Sequence, residues 1–103
     1  ALGNARQKAR KAAGASSVRS VPAALAMCRD AGGTVSNTAA NANICSDTTN
    51  GTTAVWPTLP TGWSYNGTTG GGAETVYFVA SCDSGNCGTA VTANCNIAGC
   101  SGL

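Results

Sequence analysis

Along the first thirty residues the apolar positions change sides. At about 100° per residue, Leu2, Ala5, Ala9, Ala12, Ala13 and Ser16 share one helical face, and Val18, Val21, Leu25 and Cys28 share nearly the opposite one. The residues between are strong helix formers, chiefly Ala, Arg, Lys and Gln, and predict one helix over 1–30. Asp30, Ala31, Gly32 and Gly33 end it, with Gly32 or Gly33 suited to the left-handed position after a helix. A helix that changes its apolar side serves two neighbours. Its second half is expected to pack on its own domain, and its first half offers a stripe of small residues to something else. Pro22 either kinks a continuous helix or starts a new one.

After the helix the periodicity disappears. Residues 33–72 are dominated by Thr, Asn, Ser and Gly, which predicts turns and loops. Val35, Ile44, Val55, Trp56, Leu59, Trp63 and Tyr65 are the few apolar residues able to pin this stretch to a core. Trp56 and Trp63 flank Pro57 and Pro60; we read the pair as core rather than as a binding platform. Asn50-Gly51-Thr52 and Asn66-Gly67-Thr68 match the N-glycosylation acceptor pattern, but Asn-Gly is also a tight-turn signal, and turns are the preferred reading. A period of two returns at Glu74–Cys82, with Val76, Phe78 and Ala80 on one face. A turn at 83–86 and a return strand over Cys87–Cys95, with Thr89, Val91 and Ala93 on one face, complete a hairpin. The fold class expected is α+β: a long N-terminal helix packed on a small antiparallel sheet with disulfide-closed loops. It forms one domain, divided into helix (1–30), variable loop region (31–73) and hairpin with C-terminal loop (74–103).

Composition adds staples to this picture. A 103-residue chain with 5% aromatic residues and 14 glycines has a thin core. Six cysteines compensate, and an even count in so short a chain argues for disulfides and an oxidising compartment. Cys82 and Cys87 flank a four-residue turn, and Cys95 and Cys100 close a short C-terminal loop, leaving Cys28 to pair with Cys45. The runner-up exchanges the late pairs to Cys82–Cys95 and Cys87–Cys100. The late spacing C-x4-C-x7-C-x4-C also resembles a tetrathiolate metal site, yet four intervening residues lie at the edge of zinc spacing. Disulfides fit better, and no metal or other cofactor is expected.

The charge is uneven. All six basic residues, Arg6, Lys8, Arg10, Lys11, Arg19 and Arg29, lie in residues 1–29, and the four acidic residues lie beyond. Arg6, Lys8, Arg10 and Lys11 are candidates for contact with DNA phosphates, although such a run is also what a solvated helix face looks like. The chain has no His, and no carboxylate lies within three residues of another, so an enzyme is not expected. No apolar run approaches the ~20 residues that span a bilayer.

Residues 4–32 carry a resemblance. Asn4-Ala-Arg-Gln-Lys-Ala-Arg-Lys-Ala-Ala13, then Ser16 to Cys28, then Asp30 and Gly32, resembles the exposed part of the long helix of a type IV pilin or secretion pseudopilin. The segment Ile44-Cys45-Ser46-Asp47 is similar to one found in the loop of many bacterial members. The resemblance implies a structural subunit of a pilus or pilus-like surface filament, with adhesion and motility among the tasks of such fibres. It implies a very hydrophobic segment before Ala1, holding the subunit in the inner membrane and then in the filament core. Leu2, Ala5, Ala9, Ala12 and Ala13 would continue the filament-packing face, with further copies of the pilin as partners. The present chain alone is expected to be monomeric. The alternatives are a DNA-binding minor pilin or competence pseudopilin, and an unrelated secreted disulfide-rich binding module.

Overall fold

The computed structural model describes residues 2–36, 38–68 and 78–103. The architecture is α+β, with a long helical N-terminus against a four-stranded antiparallel sheet. The expected single helix is two: α1 (Leu2–Arg19) and α2 (Val21–Asp30), separated at Ser20. Pro22 is the cause. It lacks the N–H that a continuous helix would direct at the Val18 carbonyl, and it sits in the first turn of α2, where none is needed. Ser20 keeps helical backbone angles (φ −76°, ψ −18°), so α2 carries on from α1. At its C-terminus, the Gly33 N–H bonds the Cys28 carbonyl and the Gly32 N–H that of Arg29, both at 2.9 Å, with Gly32 at φ 73°. This is a Schellman termination, which satisfies carbonyls a helix end leaves open.

The strands are β1 (Trp63–Thr68), β2 (Phe78–Cys82), β3 (Val91–Asn96) and β4 (Gly99–Ser101), in sheet order 1-2-3-4, each antiparallel to the next. β2 and β3 are the expected hairpin, with Ala80 opposite Ala93 and Cys82 opposite Val91. The Glu74–Tyr77 part of the predicted strand, Val76 included, lies outside the described residues. The return strand starts later than expected, at Val91 rather than Cys87, and Thr89 is exposed before it. The predicted turn is a one-turn helix, α3 (Ser84–Cys87), because Asp83 caps it by accepting from the Asn86 N–H at 2.8 Å. β1 corrects the loop expectation for 33–72. Val35–Cys45 and Asn43–Val55 form two further isolated bridges inside that stretch.

Alternation sets the layers. Phe78, Ala80 and Cys82 of β2 and Val91, Ala93 and Cys95 of β3 face the helices, joined by Val18, Val21 and Leu25. Ile44 and Trp56 arrive from the long connection and are fully enclosed. Trp56 stands edge-on to Phe78 and Tyr65, with ring centroids 5.1 and 5.7 Å away. Three disulfides close loops of the chain: Cys28–Cys45, Cys82–Cys87 and Cys95–Cys100. These are the pairs that loop closure favours, and no cysteine is free.

The seam between α1 and the sheet runs through Gly14. A Cβ built on Gly14 would collide with the Trp63 indole, which donates its Nε1–H to the Arg10 carbonyl at 2.9 Å. Only glycine lets the ring lie this close to the helix. Gly14→Ala is therefore expected to cost about 1–3 kcal/mol by overpacking, despite alanine's better helix propensity. Urea unfolding followed by tryptophan emission would show a lower midpoint; an unchanged or raised midpoint would contradict this seat.

Candidate assembly face and basic cleft

α1 has two distinct sides. One is seated: Gly14 and Val18 are buried, and Gln7 and Arg10 are half-buried. The opposite side is open: Ala5, Ala9, Ala12, Ala13 and Ser16 are all exposed. Leu2 begins the helix, and its side chain lies outside the described residues. The sequence divides the helix by halves, whereas the structure divides it by faces. The first half also packs on its own domain, through polar contacts and a glycine that hydropathy does not register. The Gln7 amide donates to the Gly85 carbonyl at 3.3 Å, and the Arg10 guanidinium reaches the Asn86 side-chain oxygen at 3.4 Å.

The four basic residues proposed for DNA contact do not form one surface. Arg6 and Lys8 are exposed on either flank of the alanine face. Arg10 and Lys11 turn toward the β2–β3 connection, where the Lys11 ammonium lies 3.4 Å from the Thr89 hydroxyl. The helix wheel shows that they spread; only the fold shows which two meet the body. Lys8 and Lys11 line the helix wall of a cleft of about 400 Å³ between α1 and the residues after α3, with Asn4 and Gln7 beside them and Thr89 opposite. The sequence marks Thr89 only as a strand position and Asn4 and Gln7 only within the pilin-like run, and gives none of them a binding role. Neutral polar side chains carry no signal there, except that Asn4, Lys8 and Lys11 fall at i, i+4 and i+7.

Asp47 and Asp83 are committed to local structure. Asp83 is held below its usual range by the Asn86 side chain and then the Asn86 backbone N–H. Asp47 is lowered by the backbone N–H groups of Asn50 and Thr49, which fold the 47–50 turn around it. Half-burial pushes the Tyr65 phenol up to about 12, and its hydroxyl donates to the Pro57 carbonyl at 2.6 Å. Of the two acceptor-pattern asparagines, Asn50 is exposed in that turn, and Asn66 lies in β1 with its amide donating to Ser81. Both tryptophans are buried, which places them in the core. Among the described residues no group of three or more His, Cys, Asp or Glu could hold a metal, and no helix is long and apolar enough to cross a membrane.

No family model, curated protein or solved structure matches this chain.

Proposed function

We propose that this chain is a structural subunit of a type IV pilus or pilus-like surface filament, anchored in the membrane before assembly and displayed outside the cell afterwards. The observation that carries the reading is the two-sided α1 helix. Its inner face is seated on the sheet, while Ala5, Ala9, Ala12 and Ala13 leave an outer face of small residues over more than two turns. Small side chains let helices approach closely, which is what a bundle of parallel subunits requires. Three disulfides on a thin core suit an oxidising, extracellular setting. The pilin-like pattern of residues 4–32 supports the same reading. The DNA-binding alternative has less support, because its four basic residues are divided between two flanks.

Antibodies raised against this chain should decorate surface filaments of the source cell in immunogold electron micrographs. Labelling confined to the cell body or the medium would refute the proposal. Ala9→Glu places a charge in the middle of the open face. In the full-length protein it should reduce filaments at least tenfold, while the purified domain keeps its melting temperature. Normal filaments from that variant would remove the alanine face from the assembly.

A further inference from the structure

We propose that the cleft between α1 and the β2–β3 connection binds a phosphoryl oxyanion, presented either free or as a small phosphate ester, between Lys8 and Lys11. The cleft is about 400 Å³ and is built from two elements far apart in sequence. Asn4, Lys8 and Lys11 form one wall along the helix; Cys87 and Thr89 form the other. The Cys82–Cys87 disulfide and the Asp83 cap fix that second wall. Gly88 turns the chain at the mouth with a φ of 81°, a backbone conformation that favours glycine, and lies against the Gln7 side chain.

The chemistry of the lining selects the ligand. Two ammonium groups, two carboxamides and a hydroxyl supply donors, and among the described residues no carboxylate lines the cleft. The nearest acid in sequence to Thr89 is Asp83, whose two oxygens accept from the backbone and side-chain N–H groups of Asn86. Asp30 stands 19 residues beyond Lys11 along the helical run, about 28 Å away at 1.5 Å per residue. Lys8 and Lys11 at i, i+3 therefore repel one another without a partner carboxylate among the described residues. A dianion placed between them relieves that repulsion. Lysine binds phosphate as a point charge, and Asn4 and Thr89 add directional hydrogen bonds. The volume exceeds that of a bare phosphate and lies in the range of small-molecule sites, so an organic group attached to the phosphate has room.

Amide chemical shifts of the 15N-labelled chain, recorded at constant ionic strength, test this with inorganic phosphate, glycerol 3-phosphate and glycerol as probes. Saturable shifts are expected at Lys8, Lys11, Gly88 and Thr89 with both phosphates and not with glycerol. Tighter binding of the ester identifies an ester as the source of the oxyanion; equal binding identifies the free ion. The double variant Lys8→Gln, Lys11→Gln should weaken binding at least tenfold. Arg6→Gln, Arg19→Gln, which removes the same charge elsewhere on the helix, should change it less than twofold. Circular dichroism should show both variants folded, as expected for exposed residues. Shifts that rise without saturation or extend equally to Arg19 and Arg29 overturn the proposal, as do equal losses in the two double variants. Saturation by an oligonucleotide with no response to either small phosphate overturns it too.

Discussion

Replacing Trp56 with alanine should destabilise the domain by about 3–5 kcal/mol, the range for truncating a large aromatic in a packed core. Total stabilities of small domains are about 5–15 kcal/mol, so the variant is expected to lie close to unfolding at 25 °C. Trp56 is fully enclosed, and it joins two parts of the fold. Its ring meets Phe78 of β2 and Tyr65 of β1 edge-on. Its indole N–H donates to the Ser36 hydroxyl at 3.1 Å, and its backbone N–H and carbonyl bond Ala42 and Asn41, each at 2.9 Å. The residue is thus the nail through which the long connection is held to the sheet. Trp56→Phe keeps a ring but loses the indole hydrogen bond and part of the volume, and should cost clearly less than Trp56→Ala. Urea titrations with a fitted slope measure both. A loss under about 1.5 kcal/mol for the alanine variant would mean that the connection is held by something else.

The second large effect is expected from Cys28→Ser with Cys45→Ser. This bond has a sequence separation of 17, against 5 for each of the other two. In the chain-entropy treatment a loop of that length contributes about 3 kcal/mol, and a five- or six-residue loop about 2. Packing adds to the difference. Cys28 and Cys45 are buried, and a Cβ on Gly33 would come within 2.6 Å of the Cys45 sulfur and 3.1 Å of the Cys28 sulfur. Gly51 approaches the same Cys45 sulfur within 2.9 Å by that measure. The chain is therefore wrapped around this bridge, and two hydroxyls in its place would be buried among apolar atoms. Thermal unfolding of the three double-serine variants should rank Cys28/Cys45 as the most damaging. A larger loss from Cys82/Cys87 or Cys95/Cys100 would reverse that order.

What the sequence displays follows from the kind of contact involved. The β2–β3 hairpin is legible because alternate apolar residues face one layer, and Phe78, Ala80, Val91 and Ala93 are buried as that pattern requires. Two of the three cysteine pairs rank first in the sequence because short spacings across a turn bring two Cα atoms within reach, and Cys28–Cys45 follows as the pair that remains. β1 is not. In Trp63–Thr68 only Trp63 and Tyr65 carry an alternating apolar signal, and Asn66-Gly67 reads as a turn; the register shift between Tyr65 and Thr68 absorbs that irregularity within the strand. The Trp63–Gly14 seam is equally hidden, since a glycine in an alanine-rich helix looks like a weakness until an indole is found lying on it. For the basic residues, helical periodicity supplies angles around an axis but not the direction of the body. Arg10 and Lys11 hydrogen-bond the β2–β3 connection and Lys8 lines the cleft beside it, for a reason that no local pattern encodes.

The placement of the three staples has a mechanical consequence. Two of them close loops within the β2–β4 segment, and the third joins the end of α2 to the first part of the following connection. None links α1 or α2 to a strand. Tension applied to the two ends of the chain therefore meets only noncovalent resistance along the interface between α1 and the sheet, with the Trp63 indole and the Gln7, Arg10 and Lys11 contacts parting together. Beyond that yield point most of the contour length can pay out, while three small covalent rings stay shut and preserve the local turns from which the sheet can re-form when the load is released.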